Sequence, residues 1–165
     1  MAHASEAIDV YRKYGRALRR KAERILLSSD DAGDIVQELF VDIVARNTPN
    51  VDLPYLYRAV TNRCLNLIRD RDNRRRLLDL QQPTLRGAAR SRCDDQVIGL
   101  DLIAKLSDSL DDDCLEVLVC RFVDDMSQQE TAELLGTSRK TIGKRIQKIR
   151  AELAQLARAG SEGGA

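Results

Sequence analysis

Residues that build metal centres, disulfide scaffolds and membrane spans are scarce in this sequence. It contains one histidine, no tryptophan and four cysteines, none of which lies in a C-x-x-C pair. A structural zinc site is therefore not expected, and we interpret Cys64, Cys114 and Cys120 as small buried apolar residues. A signal peptide and an apolar run of about 18 residues are also lacking, so the sequence favours a soluble, cytoplasmic protein.

Proline and aromatic residues are scarce as well. The 165 residues include three prolines and 4% aromatic residues, against 43% hydrophobic residues. Apolar residues recur at spacings of three and four while strict alternation is nearly absent. This pattern predicts an all-α fold with two small helical domains joined by a flexible linker. The sequence offers no metal cluster and no convincing nucleophile with a base, so we expect neither catalysis nor a cofactor.

The net charge of +1 hides two stretches of opposite sign. Residues 30–42 contain five acids and no base, whereas residues 69–76 contain five arginines and two acids. Separate acidic and basic surfaces suggest two different kinds of partner.

The first predicted helix runs from Glu6 to about Leu27 and combines an apolar stripe with a basic outer face. We assign the following cations to that face: Arg12, Lys13, Arg16, Arg19, Arg20, Lys21 and Arg24. By itself this face is as compatible with solvent or a packing rim as with nucleic acid.

The second predicted helix, from about Asp31 to Ala45, carries acids along one side. Asp31 and Asp34 suit the positive end of the helix dipole. Glu38 and Asp42 continue the charge at four-residue spacing, where like charges cost about 0.3 kcal/mol. A basic partner docked on this side would account for them.

Asp52 and Pro54 mark the start of a third helix that runs to about Leu80, after a loop from Arg46 to Asp52. One side of this helix carries Arg58, Asn62, Arg63, Asn66 and Arg69. Exposed Asn and Arg side chains can read unpaired bases and clamp phosphates, and a plain polar helix exterior is the alternative.

Residues 81–95 have the Pro, Gly and Arg content of a tether, and we expect Cys93 within them to be the cysteine most open to solvent. Two further helices follow, over Val97 to Leu106 and Leu110 to Val123. The stretch from Ser127 to Arg150 then reads as two helices separated by a turn at Gly136.

Several local signals define that last stretch. Ser127 and Glu130 have the spacing of a capping box, and Ser138 can cap the second helix. Cations without any acid between residues 139 and 150 cover the face opposite its isoleucines: Arg139, Lys140, Lys144, Arg145, Lys148 and Arg150. This is the pattern of a helix-turn-helix whose second helix enters the major groove. An ordinary helical hairpin with a solvated basic face is the alternative.

Three segments in this order resemble the sigma factors of bacterial RNA polymerase. They are DDAGDIVQELFVDIVAR, LPYLYRAVTNRCLNLIRDRDNRRR and the helix-turn-helix. The short architecture resembles the extracytoplasmic-function (ECF) group, which keeps only the second and fourth sigma domains. The resemblance implies a region 2-like domain over 1–80, a linker over 81–95, a region 4-like domain over 96–158 and a disordered tail over 159–165.

The resemblance also implies roles for individual residues. The clamp helices of the largest polymerase subunit would bind Asp31, Asp34, Gln37, Glu38 and Asp42. The −10 promoter element would be contacted by Arg46, Asn47, Tyr55, Arg58, Asn62, Arg63, Asn66 and Arg69. The −35 element would be contacted by Ser138, Arg139, Lys140, Thr141, Lys144, Arg145 and Lys148.

Three positions depart from the family pattern. Gly33 replaces an acid of the clamp-binding motif, and Tyr55 stands where tryptophan is usual. Gly143 lies inside the recognition helix where a cation is common, at a cost of about 1 kcal/mol in helix propensity.

We therefore expect an alternative sigma factor that binds core RNA polymerase and promoter DNA, with an anti-sigma factor or other regulator as a further partner. The main alternative is a stand-alone helix-turn-helix repressor or activator that acts without being a polymerase subunit. A DNA-acting enzyme such as a recombinase and a regulator that sequesters polymerase are two further alternatives.

Overall fold

The computed structural model describes the backbone of residues 2–81 and 94–162, and the side chains of residues 5–81 and 99–160. Within these ranges the chain is all-α, as predicted, and forms no strand. The first half contains α1 (Ala2–Leu26), α2 (Ser29–Ala45) and α3 (Leu53–Gln81). The second half contains α4 (Asp94–Ser109), α5 (Asp112–Leu118), a π-helical turn (Val119–Val123), α6 (Gln128–Leu134) and α7 (Arg139–Glu162).

Short polar side chains fix where the helices begin. The Ser28 hydroxyl accepts a hydrogen bond from the Asp31 N–H at 3.3 Å, and Asp52 accepts one from the Tyr55 N–H at 2.9 Å. Ser127 and Glu130 form the predicted capping box in full. Each cap satisfies an N–H group that has no partner inside its own helix.

Two helix ends differ from the sequence prediction. The helix expected over Leu110 to Val123 begins after the cap residue Asp111 and widens into the π-helical turn. Helix α7 continues to Glu162, so residues 159–162 are helical where we expected disorder. The segment from Ala151 to Ala159 consists of strong helix formers, which favour propagation of α7 beyond the helix-turn-helix.

The apolar stripes of both halves join into one continuous core. In the first half, Leu18, Leu39 and Leu56 are at most 2% exposed. In the second half, Leu115 and Ile142 are fully buried. Helix α3 packs against α4 and α5, and α1 contacts the π-helical turn, so the two halves share a packed interface.

Asp111 has a double role at the start of α5. Its carboxylate accepts a hydrogen bond from the Cys114 N–H at 2.9 Å and an ion-paired one from Lys148 Nζ at 2.6 Å. Lys148, followed by the Cys114 N–H, lowers the pKa of Asp111 to about 2. Because the folded pKa lies below the ordinary value of 3.8, the stabilisation is present above about pH 4 and is lost as the pH falls toward 2.

Replacing Asp111 separates its two roles. Asp111→Ala removes cap and ion pair and should lower the free energy of unfolding by about 1 kcal/mol at pH 7. Asp111→Asn keeps a cap acceptor and should cost less. Urea unfolding followed by circular dichroism measures both, and the advantage of the wild type over Asp111→Asn should shrink between pH 4 and pH 2. An advantage that stays constant over this range would contradict the assigned charge effect.

Candidate polymerase and promoter interfaces

An open groove of about 1100 Å³ lies between α1 and α2. Its apolar wall includes Ile8 and Val41, which are 51% and 65% exposed, and its rim carries Asp34 and Glu38. We call this feature the acid-rimmed groove. Exposed apolar surface rimmed by charge is typical of a protein interaction site.

Two of the predicted polymerase-binding acids are engaged inside the first half. Asp31 forms a bidentate ion pair with Arg71 at 2.7 and 2.9 Å, and this arginine, with Ser28, holds the pKa of Asp31 below its ordinary value. Asp42 pairs with Arg63, which likewise lowers the pKa of Asp42. Arg63, predicted at the −10 element, thus joins α3 to α2.

The other predicted polymerase-binding residues are Asp34, Gln37 and Glu38, and all three are exposed on α2 beside the acid-rimmed groove. Neither acid forms an ion pair among the described residues. A Cβ atom at Gly33 would lie 3.9 Å from Arg19 Cζ, an ordinary contact. Packing therefore leaves room for a side chain at position 33, and the missing acid has no steric cause.

The loop that carries Arg46 and Asn47, both predicted to contact the −10 element, connects α2 to α3. Arg46 and Asn47 are exposed in it, and Asn47 adopts a left-handed conformation with φ 48°. Asn50 does so too, with φ 53°. Asparagine tolerates this region better than most residues, which fixes a sharp turn without glycine.

Acids of the second half cover part of the α3 face predicted to meet the −10 element. Arg58 Nε donates to Glu116 Oε2 at 3.2 Å, and Asn62 Nδ2 donates to Glu116 Oε1 at 3.1 Å. Arg69 Nη2 donates to Asp112 Oδ1 at 2.6 Å. Tyr55 and Asn66, predicted on the same face, are exposed.

The helix-turn-helix has the predicted local geometry. Gly136 has φ 61° at the turn, and the Ser138 hydroxyl accepts a hydrogen bond from the Thr141 N–H at 3.1 Å. Ile142 and Ile149 are fully buried, so the first turns of α7 are held against the domain. Three cations near its N-terminus, Arg139, Lys140 and Lys144, are exposed.

Two of the six cations on the basic face of α7 are already paired with acids of the same chain. Arg145 pairs with Asp113, and Lys148 pairs with Asp111 at 2.6 Å. Both acids lie at the start of α5, outside residues 139–150. The local sequence of α7 therefore could not predict these two ion pairs. Arg139, Lys140, Lys144 and Arg150 form no ion pair among the described residues.

Gly143 has a packing role within the helix-turn-helix. A Cβ atom there would lie 2.9 Å from Gln128 Nε2, which donates to the Arg139 carbonyl at 3.0 Å. Glycine thus lets a side chain of α6 cross the surface of α7. A larger residue at position 143 would require this flexible amide end to shift.

An ion pair between Lys21 and Asp124 joins the two halves, and sequence reasoning missed it. Both side chains are nearly inaccessible, at 0% and 3% exposed, and Arg24 Nη2 lies 2.8 Å from the second oxygen of Asp124. The placement of Lys21 on an outer basic face is therefore wrong. Lys21 follows Leu18 by three residues and precedes Ile25 by four, a spacing that puts it on the buried stripe.

The remaining sequence predictions concern cysteines, metals and membranes. Cys64, Cys114 and Cys120 are buried and free, as predicted, while Cys93 lies outside the described residues. Burial raises the pKa of Cys64 to about 12 and that of Cys114 and of Cys120 to about 11. Among the described residues no cluster of potential metal ligands occurs, and no helix is long and apolar enough to cross a membrane.

Removing one partner of the buried pair should be costly, because the other charge stays out of water. Lys21→Met should lower the free energy of unfolding by about 3 kcal/mol, whereas Lys21→Met with Asp124→Asn should lower it by less than the sum of the single changes. Urea unfolding of the two single variants and the double variant measures this coupling. Additive losses would show that the two charges do not interact.

Comparisons with known proteins agree with the domain order. The model for Sigma-70 region 2 matches residues 10–74, and the model for Sigma-70, region 4 matches residues 100–153. A comparison with curated protein sequences finds no significant match.

Two solved structures are similar to this chain. One is CnrH in complex with the cytosolic domain of CnrY, with 27% identity over 96% of each chain and a TM-score of 0.48. The other is the sigma factor RpoE in complex with the anti-sigma factor NepR from Bartonella quintana, with 21% identity over 91% of this chain and 97% of that chain, and a TM-score of 0.45. The assignment depends on the family models, which together match more than two thirds of the chain. The chain therefore belongs to the sigma-70 family of sigma factors, with the region 2 and region 4 architecture that the resemblance to the ECF group predicted.

Proposed function

We propose that this chain is an alternative sigma factor that binds core RNA polymerase through α2 and directs initiation at promoters read by α3 and α7. The observation that carries the proposal is the match of regions 2 and 4, in that order, to two helical units. The exposed surfaces of these units differ in charge, since the acid-rimmed groove lies in the first and the exposed cations of α7 lie in the second.

The polymerase would dock on the acid-rimmed groove. Asp34, Gln37 and Glu38 would meet basic side chains of the partner, while Ile8 and Val41 would be covered by apolar ones. Asp31 and Asp42 would act indirectly, because their ion pairs with Arg71 and Arg63 hold α3 against α2. The groove supplies apolar contact area that compensates for the acid missing at Gly33.

The −10 element would be held as a single strand by the exposed side of α3 and the loop before it. Tyr55 and Asn66 offer a stacking surface and an amide, and Arg46 and Asn47 lie on the loop. Flipping a base out of the stack costs about 3 kcal/mol, which hydrogen bonds to the base edge and phosphate contacts would offset.

The −35 element would be read in the major groove by the first turns of α7. Arg139, Lys140 and Lys144 are exposed there, with Ser138 and Thr141 beside them. Arg145 and Lys148 would contribute after exchanging their carboxylate partners for phosphates.

Further properties follow from this role. Region 2 would occupy 1–80 and region 4 would occupy 96–158, with 81–95 as the tether between them. The chain would work in the cytoplasm, where the polymerase acts, and would itself catalyse no covalent step. Because the similar RpoE structure holds an anti-sigma factor, we include a protein of that kind among the partners.

Reconstituted transcription tests the proposal directly. Core polymerase with the purified chain should initiate from promoters that core polymerase alone ignores, across a library of genomic promoters. Silence across such a library, with a control sigma factor active, would contradict the proposed function.

Charge reversal in the acid-rimmed groove should weaken polymerase binding. We expect Glu38→Lys to lower the affinity for core polymerase about tenfold, because a like charge would then face the basic partner surface. Asp79→Lys is a matched control, since Asp79 is an exposed acid on α3 that forms no ion pair with the side chains that the structure describes. Fluorescence anisotropy of labelled chain measures both affinities, and equal losses would refute a specific docking surface.

Truncating cations at the start of α7 should impair −35 contact while leaving polymerase binding unchanged. Lys144→Ala or Arg139→Ala should reduce transcription about tenfold and lower the dependence of DNA affinity on salt. Arg150→Ala, an exposed cation one or more turns further along α7, should have a smaller effect. An equal loss in all three variants would indicate non-specific attraction instead of groove reading.

A further inference from the structure

The side-chain amide of Gln128 occupies space on α7 that a side chain of α7 itself could have filled. Gln128 is the first residue of α6, and its Nε2 donates to the Arg139 carbonyl at 3.0 Å. A Cβ atom at Gly143 would lie 2.9 Å from the same Nε2, so close that the amide would have to shift. The glycine therefore leaves a space over the first turns of α7, and a residue of the preceding helix fills it.

Position 143 lies on the side of α7 that is open to solvent. The buried isoleucines mark one side of this helix, and the two ion pairs with the start of α5 occupy another. On the remaining side the residues lie three or four apart, and those that have side chains are exposed: Lys140, Gly143, Lys144 and Gln147. The Gln128 amide thus lies beside the exposed residues of the proposed recognition helix.

The Gln128 amide can make further hydrogen bonds. A glutamine amide has two N–H donors and an oxygen that accepts. One N–H is directed to the Arg139 carbonyl, and Oε1 of Gln128 accepts no hydrogen bond from the residues that the structure describes. An amide that offers a donor and an acceptor together matches the N7 and N6 groups of adenine, which glutamine binds in a bidentate manner in the major groove.

We propose that Gln128 is a specificity-determining residue whose amide reads adenine at one base pair of the −35 element. The inference rests on the proposed function, because it takes α7 to be the recognition helix. Helix α7 would contribute its exposed cations, and α6 would supply the base contact that position 143 lacks. The hydrogen bond to the Arg139 carbonyl orients the amide before DNA arrives, which reduces the conformational entropy lost when the contact forms.

A cation in the same space would select a different base. Arginine pairs with O6 and N7 of guanine, both of which are acceptors, whereas the glutamine amide matches adenine. Gly143→Arg would therefore change the preferred base at the position that Gln128 reads. This substitution is compatible with the fold, because only the flexible end of Gln128 must shift and arginine has a higher helix propensity than glycine.

Base preferences at the −35 element test the inference. The −35 element of a promoter that the wild-type holoenzyme uses is randomised, and sequencing of barcoded transcripts gives the preference at each position. The test variants, each bound to core polymerase, are Gln128→Ala, which removes the amide, and Gly143→Arg, which displaces it. The matched control is Gln129→Ala, because Gln129 is the next residue of α6, is exposed and donates to Glu133 Oε1 at 2.6 Å instead.

The inference predicts changes at a single position of the element. The wild type should prefer adenine there by about tenfold over the other bases. Gln128→Ala should abolish this preference and leave the preferences at the other positions in place. Gly143→Arg should replace adenine by guanine at the same position, and Gln129→Ala should match the wild type.

Other patterns would overturn the inference. Unchanged preferences in Gln128→Ala would show that the amide contacts no base, and a similar loss at every position would show that Gln128 only supports the first turn of α7. Failure of Gly143→Arg to gain guanine at the position that Gln128→Ala affects would show that the two residues do not share a site. Each of these results, obtained with an active wild type, refutes the inference alone. A wild-type holoenzyme that initiates from no promoter would refute the proposed function, and the inference with it.

Discussion

The arrangement of the two halves depends on the buried ion pair between Lys21 and Asp124. Two charges removed from water are tolerated only when each has its partner, so this contact admits one register between α1 and the segment after the π-helical turn. Arg24 adds a second cation to the same carboxylate, at a distance of 2.8 Å. Once this point is fixed, α5 lies along α3, and Glu116 is placed on Arg58 and Asn62.

This constraint divides the acids of the chain into two groups with different consequences. One group is paired with cations of the first half and consists of Asp101, Asp108, Asp112, Glu116 and Asp124. Asp34 and Glu38 form no ion pair among the described residues and stay exposed beside the acid-rimmed groove. The pairs of Asp31 with Arg71 and of Asp42 with Arg63 lie within the first half and join α2 to α3.

Local signals in the sequence predicted the elements well, because caps and turns depend on neighbours within a few residues. Ser127, Glu130, Gly136 and Ser138 adopt the conformations that their types favour. The interface was not predicted, because its partners are distant in the chain: Lys21 and Asp124 are separated by 103 residues. A partial signal existed in CLEVLVC, where Glu116 is the single charge in an apolar run and hence a candidate for burial with a partner.

The contact around Gly143 likewise could not be predicted from the resemblance to sigma factors, because its partner lies on another helix. Comparison with the family pattern treats it as a missing cation on a DNA-reading helix, yet the space above it is taken by Gln128, whose amide donates to the Arg139 carbonyl. Arg139 lies in the first turn of α7, where base contacts are made in helix-turn-helix proteins. A side chain at position 143 would require the flexible amide end of Gln128 to shift, and so would change its hydrogen bond to the Arg139 carbonyl. Position 143 is thus linked to the first turn of α7 through the amide of Gln128 and the backbone of Arg139, a connection that a comparison of residue types cannot reveal.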